Sequence, residues 1–263
     1  MPNRINELFA RKGRELLNVY FTAGFPGLHD TVPVLRALEA AGADLVEIGM
    51  PYSDPVADGP TIQQSNDQAL RNGMTLKLLF EQLAGIRQTV QLPILLMGYL
   101  NPVVQYGVKN FVAKCREIGI DGVILPDLPV QEYLDEYHAL FESSGLLNIF
   151  LITPQTGDAR IRQIDAVSSG FVYMVSSASV TGSSAATGSS QEEYYKRIAD
   201  MRLQNPTLIG FGISDHASFA KACRYANGAI IGSAFIKALG QSTNLEADIT
   251  AFIQGIKGPV TAS

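Results

Sequence analysis

The chain reads as an α/β protein: a single (β/α)8 barrel of the TIM type over residues 1–263, with extra helices at the N-terminus and in the loops. Three observations predict it. Short runs rich in Val, Ile, Leu, Phe or Tyr recur eight times. Helix-period stretches separate them, so strand and helix alternate throughout. No hairpin signal or linker-like composition shift interrupts the 263 residues, a length that suits one closed barrel better than a doubly wound sheet.

The elements follow in order. A helix from Asn3 to Lys12 precedes the first strand, Leu17–Phe21, and would cap the barrel floor. Val34, Leu35, Leu38 and Ala41 mark the helix before the second strand, Leu45–Gly49. An added helix falls between Thr61 and Asn72; the period of Leu79, Leu83 and Ile86 then leads to the third strand, Pro93–Met97. Phe111, Cys115 and Ile118 precede Gly122–Leu125, and Tyr133, Leu134, Tyr137, Leu140 and Phe141 precede Asn148–Ile152. The last strands are Phe171–Val175, Thr207–Gly210 and Gly228–Ile231, after which a short helix begins at Ser233 ahead of the final one. These strands are apolar on both faces, as parallel strands covered on both sides are.

Composition narrows the function. With 46% hydrophobic and 17% charged residues, the chain can bury a large core. A net charge of -5 lacks the basic patch that nucleic acid or an anionic membrane requires, so neither is expected as a partner. Cys115 and Cys223 are far apart and read as free core thiols. The first residues form no signal-peptide apolar core and no run is long enough to span a membrane, so a reducing cytoplasm is expected.

In such barrels the active site is built at the carboxyl ends of the strands. The eight strands hold no Lys, His or Arg, which argues against a Schiff-base lysine and a His-ligated metal. His29, His138 and His216 fall in a loop, within a helix and at a helix start, and are given no chemistry. Glu47 stands out: a carboxylate in an apolar strand is costly unless it is satisfied or used. An apolar mouth would raise its pKa toward the range where it both gives and takes a proton. Asp58, eleven residues on, reads equally as a turn residue, and Asp54 reads as one.

Gly212 after the seventh strand, and Gly232 with Ser233 after the eighth, occupy positions where barrels bind phosphate through backbone amides and a helix N-terminus. Either loop alone could be a tight turn; the pair points to a phosphate ester. The long, small, polar loop at about 176–191 reads as a lid, with Thr181 and Ser183 in it and the Gly182 and Ser183 amides available to the cradle.

These residues together resemble the tryptophan synthase α subunit family. The matches span about Leu17 to Leu239. They comprise the Glu47–Thr61 motif, Tyr20-Phe21-Thr22-Ala23-Gly24-Phe25-Pro26, Met97-Gly98-Tyr99-Leu100-Asn101-Pro102, Leu125-Pro126-Asp127-Leu128-Pro129, Val180-Thr181-Gly182, Gly210-Phe211-Gly212-Ile213-Ser214 and Gly232-Ser233. The resemblance implies retro-aldol cleavage of indole-3-glycerol phosphate to indole and glyceraldehyde 3-phosphate, late in tryptophan biosynthesis, with no metal and no organic cofactor. It implies Glu47 as general acid/base and Asp58 as acceptor of the indole N–H. Tyr20, Ile62, Leu96, Tyr99, Ile124, Tyr173 and Phe211 would form the indole slot, with Tyr173 also placing the Glu47 carboxylate. Gly182, Gly212, Gly232 and Ser233 would hold the phosphate. It further implies a β subunit in an αββα complex that receives indole through a tunnel, with Pro51, Asp54, Asn101 and Asp127 as contacts. A stand-alone lyase would carry the same catalytic pair. Two departures stand out: Ser177 and Ser179 replace Arg and Gly of some members just before Val-Thr-Gly, and Pro126 replaces a small residue near the slot.

Overall fold

The computed structural model describes residues 3–55, 58–176 and 188–258, the side chains of residues 188 and 189 excepted. Nine parallel strands form one sheet: β1 (Leu16–Thr22), β2 (Leu45–Gly49), β3 (Ile94–Met97), β4 (Gly122–Ile124), β5 (Leu147–Ile149), β6 (Leu151–Ile152), β7 (Val172–Val175), β8 (Thr207–Gly210) and β9 (Gly228–Ile231). Their order is β5-β4-β3-β2-β1-β9-β8-β7-β6. The two edge strands are consecutive in the chain and joined by Phe150, whose carbonyl accepts from Tyr173 N–H at 2.9 Å. The sheet therefore closes on itself as a barrel. The sequence predicts one strand over Asn148–Ile152. It divides because the chain changes partners at Phe150, β5 pairing with β4 and β6 with β7.

Helices form where the apolar period predicts them. Arg4–Arg11 precedes β1, Pro60–Arg71 starts on a proline suited to a first helical turn, and Ser233–Gly240 follows β9. Val34, Leu35 and Leu38 bury one face of Thr31–Ala41, which ends on left-handed Gly42. The run through Tyr133 and Phe141 differs from an unbroken helix. A π turn at Tyr133–Tyr137 precedes His138–Ser144, and the Tyr133 ring packs edge-on against Phe141 and Phe150. Cys115 is buried and Cys223 half-buried, and both are free thiols.

Strand alternation divides the core into two shells. Val46, Ile48, Leu96 and Val123 face the helices. Leu45, Leu95, Ile124, Ile149, Tyr173 and Leu208 face the barrel interior, where Ile5 and Leu8 of the first helix close the floor. Burying two such side chains contributes ~1.5–3 kcal/mol each. The floor is pinned by buried Asp121, which pairs with Arg4 at 3.0 Å and Arg87 at 2.5 Å and accepts from Ile94 N–H at 2.9 Å. The opposite end holds a cavity. Among the described residues, no helix is long and apolar enough to cross a membrane.

Candidate active site

A cavity of about 540 Å³ opens at the carboxyl ends of the strands. Glu47 enters its wall from β2, on the inward face, because the strand register sets it between Tyr20 of β1 and Leu95 of β3. Its side chain is fully buried. Oε1 accepts from Asn18 Nδ2 at 2.5 Å, and Oε2 has no hydrogen-bond partner among the described residues. Burial pushes the carboxyl up to about 8, against the smaller opposing effect of the Asn18 amide. At neutral pH the group holds a proton and can release it.

Asp58 reaches the same wall from the loop before Pro60–Arg71. Desolvation raises it to about 6, while a hydrogen bond from Tyr99 Oη to Oδ2 at 3.2 Å opposes the rise. The two carboxyls thus separate at neutral pH, Glu47 protonated and Asp58 ionised. Tyr20 and Tyr173 flank them, and burial holds both phenols protonated. A Cβ at Gly49 would collide with the Tyr20 hydroxyl, and one at Gly210 with that of Tyr173. Those two glycines are what let the rings lie beside the sheet.

The other end of the cavity is built for an anion. Phe211 and Gly212 after β8 both take left-handed backbone, φ 69° and 75°. A non-glycine residue there is strained, and Ser176 holds the turn through Oγ to the Phe211 carbonyl at 2.5 Å. Gly232 precedes Ser233–Gly240, which has no side-chain cap among the described residues, leaving its first N–H groups facing a ligand site. Lys237, one turn along that helix, adds a cation to the wall.

The structure gathers Glu47, Asp58, Tyr20, Ile62, Tyr173, Phe211, Gly212, Gly232 and Ser233 around this one cavity. Leu96 is not among them: it lies on the opposite face of β3, in the shell beneath the helices, and Met97 occupies the wall instead. Ile124 is buried in the interior cluster but does not line the cavity. Tyr99 reaches the site through Asp58. Tyr173 makes no hydrogen bond to Glu47 among the described residues; that contact belongs to Asn18. Thr181, Gly182, Ser183, Ser177 and Ser179 lie outside the described residues, as does most of the expected lid.

Pro126 borders a separate cavity of about 300 Å³ rather than this one. On the rim, Asp54, Asn101 and Asp127 are exposed and Pro51 is half-buried. Asn101 donates to Tyr52 Oη at 3.2 Å, and Asp127 accepts from Leu100 N–H with both oxygens at 2.9 and 3.0 Å.

Three residues escape the sequence reading, Met97 of the cavity wall being one, read as the end of its strand and not as a wall residue. Asn18 had a legible signal, a polar side chain two positions before Tyr20 on an apolar strand and therefore on the same face. Lys237 had a weaker one, its place one turn beyond Ser233.

Known proteins resemble the chain along almost its whole length. A family model described as tryptophan synthase alpha chain matches residues 7–258. The tryptophan synthase alpha chain of Flavobacterium psychrophilum is 57% identical over 254 residues, covering 97% of this chain and 99% of the relative. The tryptophan synthase subunit alpha of Legionella pneumophila superposes with a TM-score of 0.88 at 30% identity, covering 98% of each chain. A chain of the tryptophan synthase complex of Pyrococcus furiosus superposes with a TM-score of 0.81 at 32% identity, covering 92% of this chain and 97% of that one. A paired-carboxylate pocket on a closed parallel barrel, matched along almost its whole length, places the chain in the tryptophan synthase alpha chain family.

Proposed function

We propose that the chain, acting as one domain, is a lyase that cleaves indole-3-glycerol phosphate to indole and glyceraldehyde 3-phosphate. One observation carries this reading. Two buried carboxyls of different proton affinity share a cavity wall whose far end presents glycine turns, an uncapped helix and a lysine. The cavity is large enough for a bicyclic ring with a phosphorylated tail.

Glu47 delivers its proton to indole C3, leaving a cation shared with the ring nitrogen. Ionised Asp58 accepts the indole N–H and steadies that cation. Glu47, now a carboxylate, takes the proton of the glycerol hydroxyl. The oxygen's electrons form the aldehyde carbonyl, the carbon–carbon bond breaks, and its electron pair restores the indole. The proton given to C3 stays there as the C3–H of indole, and the one taken from the hydroxyl returns Glu47 to its starting state. Tyr20, Ile62, Met97, Tyr173 and Phe211 sandwich the ring, and Gly212, Gly232, Ser233 and Lys237 hold the phosphate, joined by Gly182.

A β subunit takes up the released indole, and the rim around Pro51, Asp54, Asn101 and Asp127 meets it. The resemblance to a chain of the Pyrococcus furiosus tryptophan synthase complex supports that partnership. The cytoplasm is its place of work. Indole release from indole-3-glycerol phosphate, with and without β subunit, tests the reading. Glu47→Gln should abolish cleavage while retaining substrate binding, and unchanged turnover would defeat the mechanism.

A further inference from the structure

Asn18 is a buried polar side chain in an apolar interior. It lies fully buried on β1 among interior neighbours such as Leu16, Leu45 and Ile230. Its Oδ1 has no hydrogen-bond partner among the described residues. Enclosing half an amide unsatisfied is costly, and a leucine of similar shape would avoid that cost. The sole return visible among the described residues is the Nδ2 hydrogen bond to Glu47 Oε1.

We propose that Asn18 is the positioning residue for Glu47: its amide engages one carboxyl oxygen and confines the travelling proton to the other. An N–H already pointing at Oε1 leaves no room for a hydrogen there, so protonation falls on Oε2. That oxygen has no partner among the described residues and is available to the substrate. A single defined protonation site serves a group that must hand a proton to carbon and retrieve one from a hydroxyl. The donor also stabilises the carboxylate formed midway. The titratable groups facing Glu47 are Tyr20 from β1, Tyr173 from β7 and Asp58 from the loop, and both phenols stay protonated. Lys237 stands in the wall of the phosphate end. Asn18 is therefore the group that tunes Glu47 by direct contact.

This inference rests on the acid/base role of Glu47, and its test separates the two. The pH profile of kcat and the thermal midpoint are measured for the unaltered chain, Asn18→Leu and Glu47→Gln. Asn18→Leu should move the alkaline limb, expected near 8, upward by about one to two pH units, as removal of a hydrogen bond to a charged group implies. It should lower kcat at pH 7 about tenfold with KM nearly unchanged, and leave the thermal midpoint level or higher. A structural asparagine would instead lower the midpoint and leave the limb in place. If Asn18→Leu does not fold, Asn18→Ala carries the same readout and the same expected shift. An unmoved limb beside an inert Glu47→Gln overturns the role of Asn18 alone; a Glu47→Gln that still cleaves overturns the role of both.

Discussion

Replacing Glu47 with glutamine should stabilise the protein as it silences it, and the gain should depend on pH. Burial raises this carboxyl from its ordinary value of 4.5 to about 8. Below about pH 4.5 it is protonated in folded and unfolded chains alike, and contributes no pH dependence. As pH rises from there, the unfolded chain ionises while the folded chain keeps its proton. Stability is thus lost through this window and levels off above about 8. Each pH unit contributes ~1.4 kcal/mol, which amounts to ~3 kcal/mol at pH 7 for a group with no solvent screening. Glutamine does not titrate, and like the neutral acid it can accept from Asn18 Nδ2. The gap between Glu47→Gln and the unaltered chain should therefore widen by ~3 kcal/mol between pH 4.5 and 7, or about 5 °C in thermal midpoint for a chain this long. Denaturant unfolding of both proteins at pH 4.5, 5.5, 7 and 8.5 measures it. A gap that stays flat with pH would refute the claim that Glu47 is held neutral by burial.

Other outcomes follow from the same geometry. The kcat profile should be bell-shaped, falling below about pH 6 as Asp58 gains a proton and above about 8 as Glu47 loses one; initial rates of indole release across pH 5 to 9 trace it. Tyr99→Phe removes the donor that opposes the rise at Asp58, so the acid limb should move up by about one unit. Gly212→Ala places a side chain at φ 75°, which should raise KM for the phosphate ester and cost about 1 kcal/mol in unfolding experiments. Asp121→Ala leaves Arg87 buried without its partner on the floor, and should cost ~3–5 kcal/mol in stability with kcat unchanged at a temperature where the variant stays folded.

Much of the fold was legible because each strand is a both-sided apolar run and each helix carries its own period. Leu45–Gly49 and Gly228–Ile231 could be bounded to the residue. The change of partner at Phe150 could not, since pairing is a long-range property that a uniformly apolar run does not record. The same limit explains Leu96. Alternation within β3 requires that Leu95 and Leu96 face opposite ways, but only the register to Glu47 decides which faces inward. Glu47 was legible because an acid in a buried strand is expensive, and Asn18 obeys the same logic more quietly. Asp58 gave little signal, because an Asp-Gly turn looks alike whether its carboxyl meets solvent or a cavity. The glycine turns after β8 and β9 were legible by place, whereas Lys237 resembled any exposed helical lysine.

The most direct test is a structure of the Glu47→Gln variant with indole-3-glycerol phosphate bound. The phosphate should rest on the Gly212 turn and the Gly232–Ser233 helix start, the indole nitrogen should donate to Asp58, and C3 should lie within about 4 Å of the side chain at position 47. A ligand whose ring turns away from that side chain, or whose phosphate lies elsewhere, would contradict the account.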